Sequence, residues 1–80
     1  MKKWEVGDIF YFEQKGVYFI YGKITKITYD NYYRYYYSNI YSDSPKFSDE
    51  SRYFEEDSIC DRNAKKLNKK EIDELMVEML

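Results

Sequence analysis

Three adjacent carboxylates, Glu55, Glu56 and Asp57, are the residues of this chain best placed for acid–base chemistry. A pair of carboxylates can divide the roles of general acid and general base. Adjacent charged residues more commonly form a solvated turn, however. The chain contains no histidine, so it lacks the commonest general base and the usual partner that activates a nucleophile. We therefore predict that the protein is not an enzyme and has no catalytic residues.

The single cysteine, Cys60, is the one candidate for thiolate chemistry. Its neighbours Asp57 and Asp61 are acidic and disfavour a thiolate, so we predict a small, semi-buried residue rather than a nucleophile. A free surface thiol is the alternative. One cysteine without histidine offers neither an internal disulfide nor a Cys/His zinc site. The three glycines form no phosphate-binding loop or dinucleotide fingerprint, so we predict no cofactor and no metal.

Tyrosine is the residue type that indicates a function. Seven of the thirteen residues from Tyr29 to Tyr41 are tyrosines. A strand directs successive side chains to opposite faces of its sheet, so one part of this set belongs to the core and the other to the surface. A large ring with a hydroxyl group suits a half-wet contact surface.

We predict that this strand carries a binding site for another protein. Tyr33, Tyr35 and Tyr37 are the expected contact anchors on one face, and the sequence does not decide which face is outward. The opposite face carries Tyr32, Arg34 and Tyr36, and the acidic residues would supply charge complementarity. The predicted partner-binding residues are Tyr33, Tyr35, Tyr37, Arg34, Tyr36, Glu55, Glu56 and Asp57.

Other interpretations of the tyrosines stay open. The inward rings could complete the core while the outward rings are covered by a helix or by a second copy of the chain, which would make the protein an oligomeric structural subunit. The strand could also stack nucleotide bases, which requires aromatic residues interleaved with cations. Arg34, Lys23 and Lys26 are a small supply of such cations.

The charge distribution separates these possibilities only in part. The net charge is −2, and seven acidic residues stand against two basic residues between Asp43 and Asp61. This balance argues against a general phosphate-backbone binder. The acidic stretch is either a solvated loop or a patch that imitates phosphates in the basic groove of a partner.

Aromatic and β-branched residues predict strands in the first half of the chain. A strand over Trp4 to Phe12 and a second strand over Val17 to Tyr29 form a hairpin at residues 8–29, with Gly16 at positive φ. The apolar pattern of the second strand shifts its parity after Ile24, which predicts a bulge near Thr25-Lys26. Gly22 is a natural point of close approach.

A turn at Asp30-Asn31 leads into a third strand, Tyr32 to Tyr41. Residues 42–52 are rich in serine and predict a loop, and Tyr53 to Glu55 predict a short fourth strand. Apolar residues spaced by three and four predict a helix over 68–80, with Asn68 and Glu71 as a capping box. Residues 53–67 are otherwise expected to be irregular or helical.

The residues Val6-Gly7-Asp8-Ile9-Phe10, Gly16-Val17-Tyr18 and Tyr21-Gly22-Lys23-Ile24 carry a family resemblance. They resemble the opening hairpin of a bacterial immunity-protein family, the twenty-sixth in the numbered series that protects cells against polymorphic toxins. The resemblance covers residues 6–27. It implies a curled β-sheet module that neutralises a toxin by binding it.

These observations predict one small α+β domain over residues 1–80, with a β-rich half at 1–41. The sheet should be antiparallel and strongly bent, SH3-like or a partly open barrel of about four strands, with the C-terminal amphipathic helix packed over one side. No membrane span or signal sequence is apparent, so we expect a cytoplasmic protein. The predicted core comprises Trp4, Val6, Ile9, Tyr18, Ile20, Ile24, Ile27, Phe54, Leu67, Ile72, Leu75, Met76 and Met79.

Overall fold

The computed structural model describes residues 2–42 and 52–78, which form an open, antiparallel five-stranded sheet and two helices. The strand order is β4-β3-β2-β1-β5, so β4 and β5 are the two edges. The α+β class is confirmed, with one strand more than predicted. Apart from Ser42 and Arg52, the predicted loop lies outside the described residues. The elements are β1 (Ile9–Gln14), β2 (Tyr18–Tyr29), β3 (Tyr33–Ser42), β4 (Arg52–Glu55), α1 (Ile59–Asn63), β5 (Lys65–Lys66) and α2 (Lys69–Glu78).

The first two strands form the hairpin predicted at residues 8–29, and Gly16 in its turn has a φ of +78°. Asn31 has a φ of +69° in the predicted turn between β2 and β3. The first strand is shorter than predicted, because it begins at Ile9. Gly7, with a φ of +99°, lies in a turn that separates Trp4 from β1.

Bulges bend the central pair of strands. The register between β2 and β3 shifts at Ile24/Lys26 and again at Tyr21/Gly22. The first shift confirms the bulge predicted near Thr25-Lys26. The extra residue at this bulge shifts the alternation of side chains by one position. Ile24 and Ile27 therefore lie on the same face of the sheet.

The core lies on one face of the sheet, here called the core face; the opposite face is called the outer face. The predicted core was partly wrong, because Val6 is 62% exposed and Met76 is 44% exposed. Met79 lies outside the described residues, and Leu67 and Ile72 are only half-buried. The buried apolar residues are Trp4, Ile9, Phe10, Phe12, Ile20, Ile24, Tyr35, Tyr37, Phe54 and Leu75.

Helix α1 fastens the N-terminal segment over the core face. Its N-cap is Ser58, whose hydroxyl accepts a hydrogen bond from the Asp61 N–H. The buried carboxylate of Asp61 accepts in turn from the indole N–H of Trp4 at 2.8 Å. Trp4, which is fully buried, packs edge-on against Phe10 and Phe54 at 5.7 and 6.0 Å between ring centroids.

Helix α2 begins directly after Asn68, and the predicted capping box is present. The Glu71 N–H donates to the Asn68 side chain at 2.8 Å, and the Asn68 N–H donates to the Glu71 carboxylate at 3.1 Å. Leu75 is the buried residue of this helix. The predicted apolar stripe was wrong at Met76, which is exposed, because the helix turns Leu75 and its acidic neighbours toward the sheet. Neither helix of the described residues has the length and hydropathy that a membrane span requires.

Candidate functional site

The tyrosines of β3 divide between the two faces of the sheet. Tyr35 is fully buried and Tyr37 is 8% exposed, so both belong to the core face. Tyr33 shares this face and stacks on Tyr35 with 6.1 Å between ring centroids. The prediction of Tyr35 and Tyr37 as exposed contact anchors was therefore wrong. These two rings pack against Phe10 and Phe54 and so belong to the aromatic core.

The buried tyrosines are held by specific contacts. The Tyr35 hydroxyl accepts a hydrogen bond from the backbone N–H of Lys3 at 3.2 Å. Tyr37 meets the edge of Phe10 at 5.1 Å between ring centroids. Burial raises the pKa of Tyr37 to about 12, which favours its neutral form. Both residues thus stabilise the fold and are not available to a partner.

The outer face exposes the rings and cations of opposite parity. β3 pairs Tyr36 with Lys26 of β2 and with Tyr53 of β4, so these three side chains lie side by side. Tyr53 is 50% exposed. We call this group, together with Arg34 and Tyr32, the cationic tyrosine cluster. The outer face therefore includes Arg34 and Tyr36, two of the predicted partner-binding residues.

Cations and rings alternate within the cationic tyrosine cluster. The Arg34 guanidinium lies 5.0 Å from the Tyr32 ring centroid and 5.9 Å from that of Tyr53. It also donates to the Tyr32 hydroxyl at 2.6 Å, and this hydrogen bond raises the pKa of Arg34. Lys26 lies 5.5 Å from the Tyr36 ring centroid. The positive charges are thus fixed over aromatic faces at the protein surface.

The structure does not bring the three predicted acidic residues together. Glu55 pairs with Arg34 across β3 and β4, and it lies exposed beside the cationic tyrosine cluster. Glu56 accepts a hydrogen bond from the Tyr33 N–H at 3.1 Å, so its carboxylate serves the fold. Asp57 has a φ of +64° in an exposed turn, and its N–H donates to Asp61. Of these three residues, only Glu55 contributes its charge to the outer face.

A second aromatic group lies on the outer face beside helix α2. Tyr11 pairs with Tyr21, and Tyr21 pairs with Tyr41, so one row of rings crosses three strands. Phe19 completes the group, at 5.5 Å from Tyr41 between ring centroids. With Leu75 and Glu78 of α2, these rings line an open volume of about 640 Å³, here called the aromatic groove.

Sequence reasoning missed the aromatic groove, although a signal for it was present. In β2, Phe19 and Tyr21 alternate with Ile20 and Gly22, which face the core. The turn at Gly16 fixes the hairpin register and therefore places Tyr11 opposite Tyr21. The alternation within the predicted hairpin thus indicated an aromatic surface outside the tyrosine run.

Cys60 is half-buried next to the core face, as predicted. Burial, with a further contribution from Asp61, raises the pKa of its thiol to about 12. A neutral thiol is a poor nucleophile. Among residues 2–42 and 52–78, no three carboxylate or thiol groups lie close enough together to bind a metal ion.

No family model, no curated protein and no solved structure matches this chain. The sheet has an aromatic core on one face, and it carries the cationic tyrosine cluster and the aromatic groove on the other.

Proposed function

We propose that this protein is a non-catalytic binding module that docks onto another protein through the outer face of its sheet. In this proposal it is a small cytoplasmic inhibitor or immunity factor that masks a site on its partner. One observation carries the proposal: alternate tyrosines complete the core, whereas Tyr41 and Tyr53 on the outer face stay 44% and 50% exposed.

The exposed rings of the outer face are not part of the core cluster. The core is already closed by Phe10, Tyr35 and Tyr37 and does not need the outer rings. Tyrosine and arginine dominate the residues that carry binding energy in protein interfaces, because they supply contact area at a low cost in conformational entropy. The cationic tyrosine cluster combines both residue types.

The inhibitor role draws on the resemblance of residues 6–27 to the immunity-protein hairpin. The residues that carry this resemblance lie in β1, in the first part of β2 and in the turns before and after β1. The two strands present Tyr11 and Tyr21 to the outer face. An inhibitor of this kind acts by covering a surface, which suits a sheet that has contact residues along one whole face. We also propose that the sheet curls in an SH3-like manner, because the two bulges between β2 and β3 bend it.

The proposal is tested by capturing the partner from the host with the intact protein and then measuring its affinity for variants. The double variant Tyr36→Ser with Tyr53→Ser removes two outer rings and leaves the core untouched. We expect its affinity to fall at least tenfold, because interface tyrosines commonly contribute about 1–2 kcal/mol or more each.

Ile59→Ser is the control, because Ile59 is a large apolar side chain, 73% exposed, on helix α1, which packs over the core face. It should bind the partner like the unchanged protein. Unaltered affinity of the double variant, with its fold intact by circular dichroism, would overturn the proposed function. Equal losses for the double variant and the control would also contradict it.

A second candidate function, stacking of nucleotide bases, is favoured by the alternation of Lys26 and Arg34 with tyrosine rings. Base stacking on such a platform contributes about 1–3 kcal/mol per base. A labelled single-stranded oligonucleotide, titrated at low salt and again at higher salt, separates the two functions. A nucleic-acid binder should bind at low salt and lose affinity steeply as the salt concentration rises. No binding at low salt eliminates this candidate.

A further inference from the structure

The aromatic groove is acidic as well as aromatic. Its floor is the row of rings from Tyr11 to Tyr41, with 4.8 Å between the centroids of Tyr11 and Tyr21 and 6.5 Å between those of Tyr21 and Tyr41. Its wall is helix α2, which contributes Leu75 and Glu78. Glu13 is not part of the lining, but its carboxylate accepts a hydrogen bond from the hydroxyl of the lining residue Tyr11 at 3.1 Å.

Helix α2 directs a row of carboxylates toward Tyr21. Glu71, Glu74 and Glu78 are spaced by three and four residues, and together with Leu75 they line a smaller space that adjoins the aromatic groove. Glu71 is paired with Lys65. Glu74 and Glu78 form no ion pair with any residue in the described part of the chain. Of these two carboxylates, Glu78 lines the aromatic groove and Glu74 lines the adjoining space, whereas the nearby cation Lys65 is bound to Glu71.

Aromatic rings together with carboxylates favour the binding of a cation. The faces of tyrosine and phenylalanine rings carry negative potential and attract cations. Arginine suits such a site better than lysine, because its planar guanidinium stacks on rings and forms paired hydrogen bonds with a carboxylate. A volume of about 640 Å³ falls within the range of about 300–1,000 Å³ typical of pockets that hold small ligands. The groove is therefore large enough for a long side chain.

We propose that the aromatic groove receives an arginine side chain from a basic segment of the partner protein. The guanidinium stacks on the rings of Tyr21 and Tyr41 and bonds the carboxylates of α2, chiefly Glu78. This inference rests on the proposed function, and it adds the chemistry of the partner: a basic, arginine-bearing segment. The cationic tyrosine cluster then contacts a different part of the same partner.

The test uses a short peptide in which two arginines are flanked by glycine and serine, titrated into the isotope-labelled protein at low salt. A matched peptide carries glutamine in place of both arginines. We expect the arginine peptide to shift the amide signals of Phe19, Tyr21, Tyr41 and Leu75. The glutamine peptide should leave them in place.

Two pairs of variants separate the groove from general electrostatic attraction. Glu78→Gln should weaken binding of the arginine peptide about threefold to tenfold, whereas Asp73→Asn, the same change of charge on the same helix outside the groove, should not. Tyr41→Leu should weaken binding to a similar extent, whereas Tyr41→Phe keeps the ring and should retain the affinity. Tyr41 is 44% exposed, so these variants should fold.

Equal binding of both peptides would overturn the inference. So would signal shifts confined to residues outside the groove, or equal losses for Glu78→Gln and Asp73→Asn. These failures leave the proposed function intact if the captured partner still loses affinity for the variant of Tyr36 and Tyr53. The proposed function itself would be contradicted if every outer-face variant kept full affinity for that partner.

Discussion

The indole N–H of Trp4 donates a hydrogen bond of 2.8 Å to Oδ1 of Asp61, across 57 residues of sequence. Both side chains are buried, at 0% and 5% exposure. The other carboxylate oxygen of Asp61 accepts from the Asp57 N–H at 2.9 Å. The pair thus connects the N-terminal segment, the turn after β4 and helix α1 over the core face.

Asp61→Ala should be strongly destabilising. It leaves the buried indole N–H of Trp4 and the partly buried N–H of Asp57 without their acceptor, which should lower the free energy of unfolding by about 2–3 kcal/mol. Asp61→Asn keeps one acceptor oxygen and should cost less. Urea denaturation checks this order, with the exposed Asp73→Ala as the control, expected within about 0.5 kcal/mol of the unchanged protein. Equal stability of the two alanine variants would show that the Trp4–Asp61 contact contributes nothing.

Gly22→Ala should destabilise the sheet through overpacking. A Cβ at this position would lie 2.5 Å from Cζ of Phe10 and 3.0 Å from Cδ2 of Tyr37. Inserting a methyl group into such a close contact costs about 1–3 kcal/mol. Phe10→Leu on its own also destabilises, but it should cost less in the Gly22→Ala background, because the smaller side chain relieves the clash. A thermodynamic double-mutant cycle measures this coupling, and strict additivity would contradict it.

Folding should weaken at alkaline pH. Burial raises the pKa of Cys60 from 9.0 to about 12 and that of Tyr37 from 10.0 to about 12, so the folded state binds both protons more tightly than the unfolded chain does. Their stabilising contribution is complete below about pH 9 and is lost as the pH rises toward 12. The unfolding temperature should therefore fall across this range.

Two variants identify the groups that cause the loss of folding stability at alkaline pH. Cys60→Ala should flatten the fall in unfolding temperature from about pH 9 upward, and Tyr37→Phe should flatten it from about pH 10 upward. Lys15→Ala, at an exposed position, is the control. If neither Cys60→Ala nor Tyr37→Phe alters the pH dependence of the unfolding temperature, the assignment to these two groups is wrong. The Cys60 thiol of the folded protein should also react slowly with aromatic disulfides at neutral pH.

Asn68→Ala should loosen helix α2 without unfolding the sheet. The capping box it removes contributes about 1 kcal/mol to helix stability. The helix buries Leu75 alone among its described residues, so global unfolding should change little. Amide hydrogen exchange should accelerate in α2 and stay slow in β2 and β3. Uniform acceleration throughout the protein would mean that the helix is an integral part of the folding unit.

The local structure of this protein could be predicted from sequence because its signals are local. The positive φ of Gly16, the bulge near Thr25 and the capping box of Asn68 and Glu71 each depend on neighbouring residues, and all three were found. Helix α1 was left undefined because its N-cap, Ser58, lies in an acidic stretch without apolar periodicity. Strand β5 spans only two residues and depends on pairing with β1.

The candidate site was harder to predict than the fold. Alternation showed that the tyrosines of β3 divide between two faces, but which set is buried depends on tertiary packing. Phe54 and the N-terminal segment cover Tyr35, and neither contact can be read from the tyrosine run itself. Likewise, Glu55, Glu56 and Asp57 do not act as one acidic patch, because the Glu56 carboxylate accepts a hydrogen bond from the backbone of Tyr33.

The proposed binding through the outer face is tested most directly by chemical modification of tyrosine hydroxyls with N-acetylimidazole. The modified sites are mapped by mass spectrometry on the protein alone and in complex with its captured partner. We predict that Tyr41 and Tyr53 react in the protein alone and are protected in the complex, and that Tyr35 and Tyr37 react in neither. Outer-face tyrosines that stay equally reactive in the complex would show that the partner does not bind through the outer face.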